Sequence, residues 1–211
     1  LGRSLGERGD HQLAVVAFSA IKFKGAPATT SRSVLVIVAL LVVSAGIGLA
    51  MQTGLVPRYL GLFYERGLGV NQDLAEAARW YRKAADAGDA RAMNTLGNLY
   101  ESGQGVKQDY ATAARWFRRS AEGGNTDAWC ALGRLYAKGQ SVKQDHAEAL
   151  RWYRKSAEAG NARGMFSLGV AYGEGKGVDQ NSAEAARWYR KAADAGNDAA
   201  KAALNRLSES K

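Results

Sequence analysis

A period of 36 residues runs through about three-quarters of the chain and constrains its fold more than any other feature. Two glycines, a tryptophan, a tyrosine and a valine all recur at this interval in four consecutive copies. The five sets are Trp80/Trp116/Trp152/Trp188, Gly61/Gly97/Gly133/Gly169, Tyr64/Tyr100/Tyr136/Tyr172, Val70/Val106/Val142/Val178 and Gly88/Gly124/Gly160/Gly196. Periods of roughly 20 to 50 residues are typical of proteins in which one supersecondary structure stacks on the next. We therefore predict four repeats, at about 53–88, 89–124, 125–160 and 161–196.

Each repeat is predicted to begin with a helix A that ends at a glycine loop. In the second repeat this helix covers about 90–102, because apolar residues recur there at the spacing of one helix face. These residues are Ala92, Met93, Leu96, Leu99 and Tyr100. Asp89 is placed to cap the helix, and Gly103 to end it, because glycine enters the left-handed conformation at low cost. Ser141 replaces the second glycine of this loop in the third repeat, so we expect a permissive backbone there.

Each repeat is predicted to continue with a helix B that follows a capping residue. The caps are Asp73, Asp109, Asp145 and Asn181. In three repeats a glutamate follows three residues later, which predicts a capping box in which that glutamate reaches back to the cap. A single helix pair cannot bury both helix faces, whereas stacked pairs can. The predicted fold class is therefore all-α, an α-solenoid of about four 36-residue helix-turn-helix repeats.

The residues after Gly196 are predicted to form a C-terminal capping helix within 197–211. This segment starts like a further helix A, but Asn205 stands at the position of the repeated glycine and Ser208 at that of the repeated tyrosine. Losing packing residues in favour of polar ones is typical of a terminal repeat. The predicted repeat domain spans 53–211.

An uncharged apolar run of 18 residues extends from Val34 to Met51. As a helix it would be about 27 Å long, close to the ~30 Å hydrocarbon core of a bilayer. We predict one transmembrane or signal helix at 33–51. Its length favours an uncleaved signal anchor over a cleaved signal peptide, although Gly48-Leu49-Ala50 offers a cleavage site after Ala50. Residues 1–32 are predicted to be a disordered basic tail, whose charge favours a cytoplasmic N-terminus.

The composition argues against catalysis and against metal or cofactor binding. Cys130 is the only cysteine, and His11 and His146 are the only histidines. An intramolecular disulfide framework is therefore excluded, and a multi-histidine metal site is hard to build. The glycine loops recur between helices, which favours helix ends over phosphate-binding loops. We expect His146 to be solvated, Cys130 to be a partly buried thiol, and no catalytic, cofactor-binding or metal residues to be present.

The charge pattern argues against nucleic-acid binding. The net charge is +9, from 29 basic and 20 acidic residues. Most basic residues of the repeats have an acidic neighbour three or four positions away on the same helix, as on an ordinary solvated face. One column has no acidic neighbour of its own, namely Lys83, Arg119, Lys155 and Lys191: the acidic residue three positions after each also lies four positions after an arginine. This column is an alternative surface for an acidic ligand.

The repeat motif resembles the Sel1-like repeat, a branch of the tetratricopeptide-like α-solenoids. The resemblance covers about 53–208 and is carried by 73–77, 80–85, 96–100 and 103–106. It implies an adaptor that gathers other proteins, often in bacterial envelopes, in signalling or in host contact. Some relatives are cysteine-rich, with a disulfide in each repeat and reported β-lactamase-type activity. With Cys130 alone, this chain departs from that subclass.

Binding specificity is expected where the repeats differ. Three variable columns of helix A share one helix face: Asn94/Cys130/Phe166, Asn98/Arg134/Val170 and Glu101/Ala137/Gly173. In solenoids of helix pairs, helix A usually lines the concave surface. We therefore predict partner binding by the members of the first two columns, Asn94, Asn98, Cys130, Arg134, Phe166 and Val170.

Together these observations predict a protein–protein interaction scaffold of the bacterial envelope, which binds a protein or peptide partner on the concave face. The expected location is the inner membrane, held through residues 34–51 with the repeats facing the periplasm. Cleavage after Ala50 would instead give a periplasmic or secreted protein. The alternative function is a regulatory subunit that restrains an envelope enzyme or a sensor kinase. The identity of the partner and the oligomeric state stay open.

The predicted topology can be tested with a reporter fused after Lys211. Alkaline phosphatase at this position should be active, because it folds only in an oxidising, extracytoplasmic compartment. A cytoplasmic reporter at the same position should give a fusion without activity. The opposite pattern would reverse the predicted orientation.

Overall fold

The computed structural model describes residues 54–209, and within this range all regular structure is α-helical. Its nine helices are α1 Leu55–Arg66, α2 Leu74–Asp86, α3 Ala90–Ser102, α4 Tyr110–Glu122, α5 Thr126–Lys138, α6 His146–Glu158, α7 Ala162–Glu174, α8 Ser182–Asp194 and α9 Asp198–Glu209. The all-α prediction is confirmed over these residues. None of the nine helices is long and apolar enough to cross a membrane. The predicted tail at 1–32 and the predicted transmembrane or signal helix at 33–51 lie outside the described residues.

The helices alternate between the A type (α1, α3, α5, α7 and α9) and the B type (α2, α4, α6 and α8). The chain divides into two compact units, the first ending at Asp109 and the second beginning at Tyr110. In the first unit, α2 packs against α1 and α3. In the second, each helix from α4 to α9 packs against the next, and α5 also packs against α7. Within each unit the helix pairs therefore stack as repeats.

The predicted helix caps are formed in both helix types. At the start of α2, Asp73 Oδ1 accepts hydrogen bonds from the backbone N–H groups of Ala75 and Glu76, both at 2.9 Å. Asp145 and Asn181 cap α6 and α8, and Asp89 caps the A helix α3, each by accepting one bond from the backbone N–H three residues on. These side chains satisfy donors that have no partner inside the helix, which fixes where each helix begins.

Only half of the predicted capping box forms: each cap accepts a bond from the N–H of the glutamate, but the glutamate side chain binds an arginine instead of reaching back to the cap. Three ion pairs of this kind join Glu76 to Arg79, Glu148 to Arg151 and Glu184 to Arg187, at 3.1 to 3.3 Å. The N–H of the cap is already satisfied by the preceding A helix, since the Asp73 N–H donates to the Tyr64 carbonyl at 2.9 Å. The glutamates therefore extend along the exposed face of their own helix.

The loop after each A helix uses a left-handed backbone. A Cβ atom on Gly105, where φ is +70°, would lie 2.2 Å from the carbonyl oxygen of Leu74. Ser141 occupies the same position of the third repeat and keeps a φ of +64°. The expected permissive backbone at Ser141 is therefore wrong. The left-handed conformation is retained there, and for a residue with a Cβ it costs roughly 1–2 kcal/mol.

In three of the helix pairs the core contains a tyrosine ring laid against a glycine. A Cβ on Gly133 of α5 would lie 2.5 Å from Cε1 of Tyr153 on α6, closer than carbon atoms can approach. Gly61 meets Tyr81, and Gly169 meets Tyr189, in the same arrangement at 2.7 Å. A fully buried leucine precedes each of these glycines: Leu60, Leu132 and Leu168. The repeated glycine thus sets how closely an A helix can approach its B helix.

The last helix closes the second unit with one apolar face. Ala200 is buried against α8, and Leu204 and Leu207 pack beside it. Asn205 and Arg206 are exposed on the other side. This division gives α9 the polar outer surface that a terminal helix needs in order to stay soluble.

Replacing Gly133 by leucine should lower the free energy of unfolding by about 1–3 kcal/mol, because the larger side chain overlaps the Tyr153 ring. Gly173→Ala is the matched control. It is also a glycine inside an A helix, but its added Cβ would make only ordinary contacts at 3.6 Å. The control should gain about 0.5–1 kcal/mol from a better helix residue. Urea unfolding of both variants measures the difference, and equal midpoints would reject the proposed packing.

Candidate functional site

An open cleft with a volume of about 260 Å³ lies in the second unit, beside α5, α6 and α7. Its lining is largely apolar. Its lining residues are Ala137, His146, Ala149, Leu150, Tyr153, Phe166, Ser167, Val170, Ala171, Glu174 and Lys176. Two of the six predicted partner-binding residues, Phe166 and Val170, are among them. The structure therefore brings Phe166 and Val170 together at this cleft.

Phe166 and Val170 lie one turn apart on α7, and both are half-buried. The Phe166 ring packs against the Tyr189 ring on α8, with 5.6 Å between ring centroids and 39° between planes. Val170 also packs against the buried cluster around Tyr189. These two side chains thus hold α7 against α8 while contributing surface to the cleft. Part of their burial is structural, which the sequence pattern did not reveal.

Cys130 and Arg134 lie on α5, and Cys130 contributes little accessible surface. Its side chain is only 8% exposed, and its Sγ lies 3.7 Å from the Ser167 Oγ on α7. Burial raises the pKa of the Cys130 thiol, outweighing the Ser167 hydrogen bond and the charge of Arg134, which lower it. Arg134 is half-buried. Of these two predicted site residues, only Arg134 offers substantial surface to a partner.

Asn94 and Asn98 belong to the first unit, on α3. Asn98 is exposed, whereas Asn94 is half-buried. The Asn94 Oδ1 atom is enclosed and accepts no hydrogen bond from the described residues. These asparagines stand at the repeat positions of Phe166 and Val170, so the two units differ sharply in polarity at the same places.

The cleft also contains the hydroxyl of a helix B tyrosine, Tyr153, which the sequence pattern did not single out. In the first unit, the Tyr81 hydroxyl donates a hydrogen bond to the carboxylate of Glu65. Burial and this carboxylate together raise the pKa of Tyr81. In the second unit Ala137 stands at the position of Glu65, and the Tyr153 hydroxyl has no hydrogen-bond partner among the described residues. Burial raises the pKa of Tyr153 to about 12.

The basic column of Lys83, Arg119, Lys155 and Lys191 makes contacts to tryptophan rings. Lys83 lies 4.1 Å from the centre of the Trp80 ring, and Lys191 lies 4.4 Å from that of Trp188. Arg119 and Lys155 lie over tryptophan rings in the same way. A cation is attracted to the face of an aromatic ring, so each of these basic groups has a favourable contact within the repeat.

Neither a metal site nor a catalytic constellation was predicted. Over residues 54–209, no three His, Cys, Asp or Glu side chains lie close enough to hold a metal ion. His146 is half-buried at the first position of α6 and lines the cleft beside Glu174 and Lys176. These groups can donate or accept hydrogen bonds with a bound partner, and this is the chemistry that the arrangement offers.

The stacked helix pairs define the protein as an α-helical repeat protein. A model of the Sel1 repeat family matches four segments of the chain: 58–89, 90–125, 127–161 and 162–197. The chain therefore belongs to the Sel1 repeat family, as its motif predicted. Proteins of this family act generally as scaffolds for protein–protein interaction, and their fold is not typically catalytic.

Two solved structures illustrate the similarity. The chain is 35% identical to a Sel1 repeat protein from Oxalobacter formigenes, with a TM-score of 0.71, over 80% of this chain and 68% of that one. It is 29% identical to a protective antigen of uropathogenic Escherichia coli that displays an SLR fold, with a TM-score of 0.70. That match covers 97% of this chain and 42% of the antigen. No curated protein matches the sequence.

Proposed function

We propose that this protein is an adaptor of the bacterial envelope that captures a protein or peptide partner in the cleft beside α7. The observation that carries this proposal is the pairing of Phe166 and Val170 in an open cleft at positions where the first unit has Asn94 and Asn98. The contact with Tyr189 accounts for part of the burial of this pair, and the apolar surface that the pair leaves open to the cleft is available to a partner.

The chemistry of the cleft suits a polypeptide. Leu150, Phe166 and Val170 supply apolar surface, and Lys176 and Glu174 at the rim pair with each other at 2.6 Å. Aromatic and arginine residues are enriched among the side chains that dominate binding energy, and Phe166 and Arg134 are of these types. A volume of about 260 Å³ accommodates one or two partner side chains, not a whole domain. We therefore expect an extended segment or a protruding loop to enter.

The envelope location rests on the apolar run at 34–51. In this proposal the run either holds the repeats at the periplasmic face of the inner membrane or is removed after Ala50, which would leave a periplasmic or secreted protein. The proposal includes no cofactor, metal ion or nucleic acid. Binding alone is the proposed activity.

Exchanging the apolar pair for its counterparts in the first unit tests the proposal. Phe166→Asn with Val170→Asn should reduce partner capture by roughly tenfold or more, because the main apolar contacts are lost. Stability should also fall, by about 2 kcal/mol, because the Phe166 ring leaves the Tyr189 ring. Chemical crosslinking in envelope fractions, followed by affinity isolation and mass spectrometry, measures capture.

Two further variants separate binding from folding. Val170→Asn alone keeps the ring contact and should reduce capture with a smaller loss of stability in urea unfolding than the double variant. Arg187→Ala alters only an exposed pair on α8, with Glu184 at 3.3 Å, and should affect neither quantity. Undiminished capture by folded Val170→Asn and by the double variant would place the binding surface elsewhere.

A further inference from the structure

In both units the helix B tyrosine packs against a glycine, but the residue beside the tyrosine hydroxyl differs. Tyr81, Tyr153 and Tyr189 each lie against the glycine of their own A helix, at 2.5 to 2.7 Å from where its Cβ would be. The residue four positions after that glycine then faces the tyrosine hydroxyl. At Gly173, a Cβ would lie 3.6 Å from the Tyr189 hydroxyl.

The first unit shows which group this position accepts. Glu65 follows Gly61 by four residues, and its carboxylate accepts a hydrogen bond from the Tyr81 hydroxyl. The pair is partly buried. The chain thus demonstrates in its own fold that a carboxylate fits beside the helix B tyrosine.

The second unit lacks this internal carboxylate. Ala137 replaces it, and the cleft opens where the longer side chain would lie. Tyr153 lines the cleft and has no hydrogen-bond partner among the described residues. The positive charge of Arg134 acts on the Tyr153 hydroxyl in the direction that stabilises negative charge there. Lys176 adds a cation at the rim, offset by Glu174 at 2.6 Å.

The equivalent position beside Tyr189 is less suited to the same ligand. The Phe166 ring covers part of Tyr189, whose side chain is 8% exposed. Glu174 also places a negative charge near its hydroxyl. A second carboxylate would be repelled there, so the site beside Tyr153 is favoured.

We infer that the cleft binds an acidic side chain of a partner polypeptide, whose carboxylate accepts a hydrogen bond from Tyr153 while a neighbouring apolar side chain packs on Phe166 and Val170. This inference rests on the proposed function and specifies the chemistry of its partner. The partner's carboxylate takes the place that Glu65 occupies in the first unit. The first repeat fills this place with its own Glu65, whereas the third repeat, with Ala137, leaves it open to a partner.

A random dodecapeptide library displayed on phage and selected on the full chain tests this chemistry. Selected clones should share Asp or Glu close to Leu, Met or Phe. The leading peptide is then synthesised with its acidic residue and with the matching amide, Glu→Gln or Asp→Asn. Losing the charge should weaken binding by roughly tenfold, as expected for a hydrogen bond to a charged group.

Two protein variants locate that effect. Tyr153→Phe removes only the hydroxyl, and the chain already carries phenylalanine at this repeat position as Phe117. This variant should bind the acidic peptide and its amide equally. Ala137→Glu supplies an internal carboxylate like that of Glu65, and should abolish binding of both peptides while the chain remains folded by circular dichroism.

Each result has a defined meaning. Clones without acidic enrichment, or an acid-over-amide preference that survives Tyr153→Phe, would overturn the inference. If such peptides no longer bind the Ala137→Glu and Phe166→Asn variants, the cleft binds polypeptides without needing a carboxylate. In that case the proposed function is supported and the inference is not. If every selected clone still binds both the Ala137→Glu and the Phe166→Asn variant, the inference and the proposed function are both overturned.

Discussion

The structure depends on the contact between a glycine of the A helix and a tyrosine ring of the B helix that follows, which three helix pairs share. A side chain at Gly133 would overlap the Tyr153 ring, so only glycine permits this close approach. The same contact recurs at Gly61 and Gly169. Because interiors are packed as densely as organic crystals, one small residue fixes the spacing of two helices and, through stacking, of the pairs in each unit.

This contact also determines where variation can create a site. It brings the residue one turn after the glycine next to the tyrosine hydroxyl, in a position that the packing leaves free to change. Glu65 fills that position in the first unit, whereas Ala137 leaves it open in the second. Phe166 and Val170 then supply an apolar wall beside the opening. The glycine–tyrosine contact thus stabilises the fold, while the variable residue one turn after the glycine determines whether a binding site is open.

The sequence predicted the helical repeats well, because packing columns recur and capping residues act locally. Asp73 and Asn181 cap the helices as predicted. Contacts across helices were harder to predict. The burial of Cys130, the Phe166–Tyr189 ring pair and the Glu65–Tyr81 bond depend on which helices meet. Ser141 shows a further limit, since a substitution in a column does not prove that the backbone has relaxed.

The most direct test of the account is site-specific photocrosslinking in living cells. A benzophenone amino acid at Glu174, exposed at the rim of the cleft, is compared with the same group at Arg187, exposed on α8 away from the cleft lining. We expect an envelope protein to be crosslinked from position 174 and not from position 187. Crosslinking of the same protein from 187 but not from 174 would contradict it.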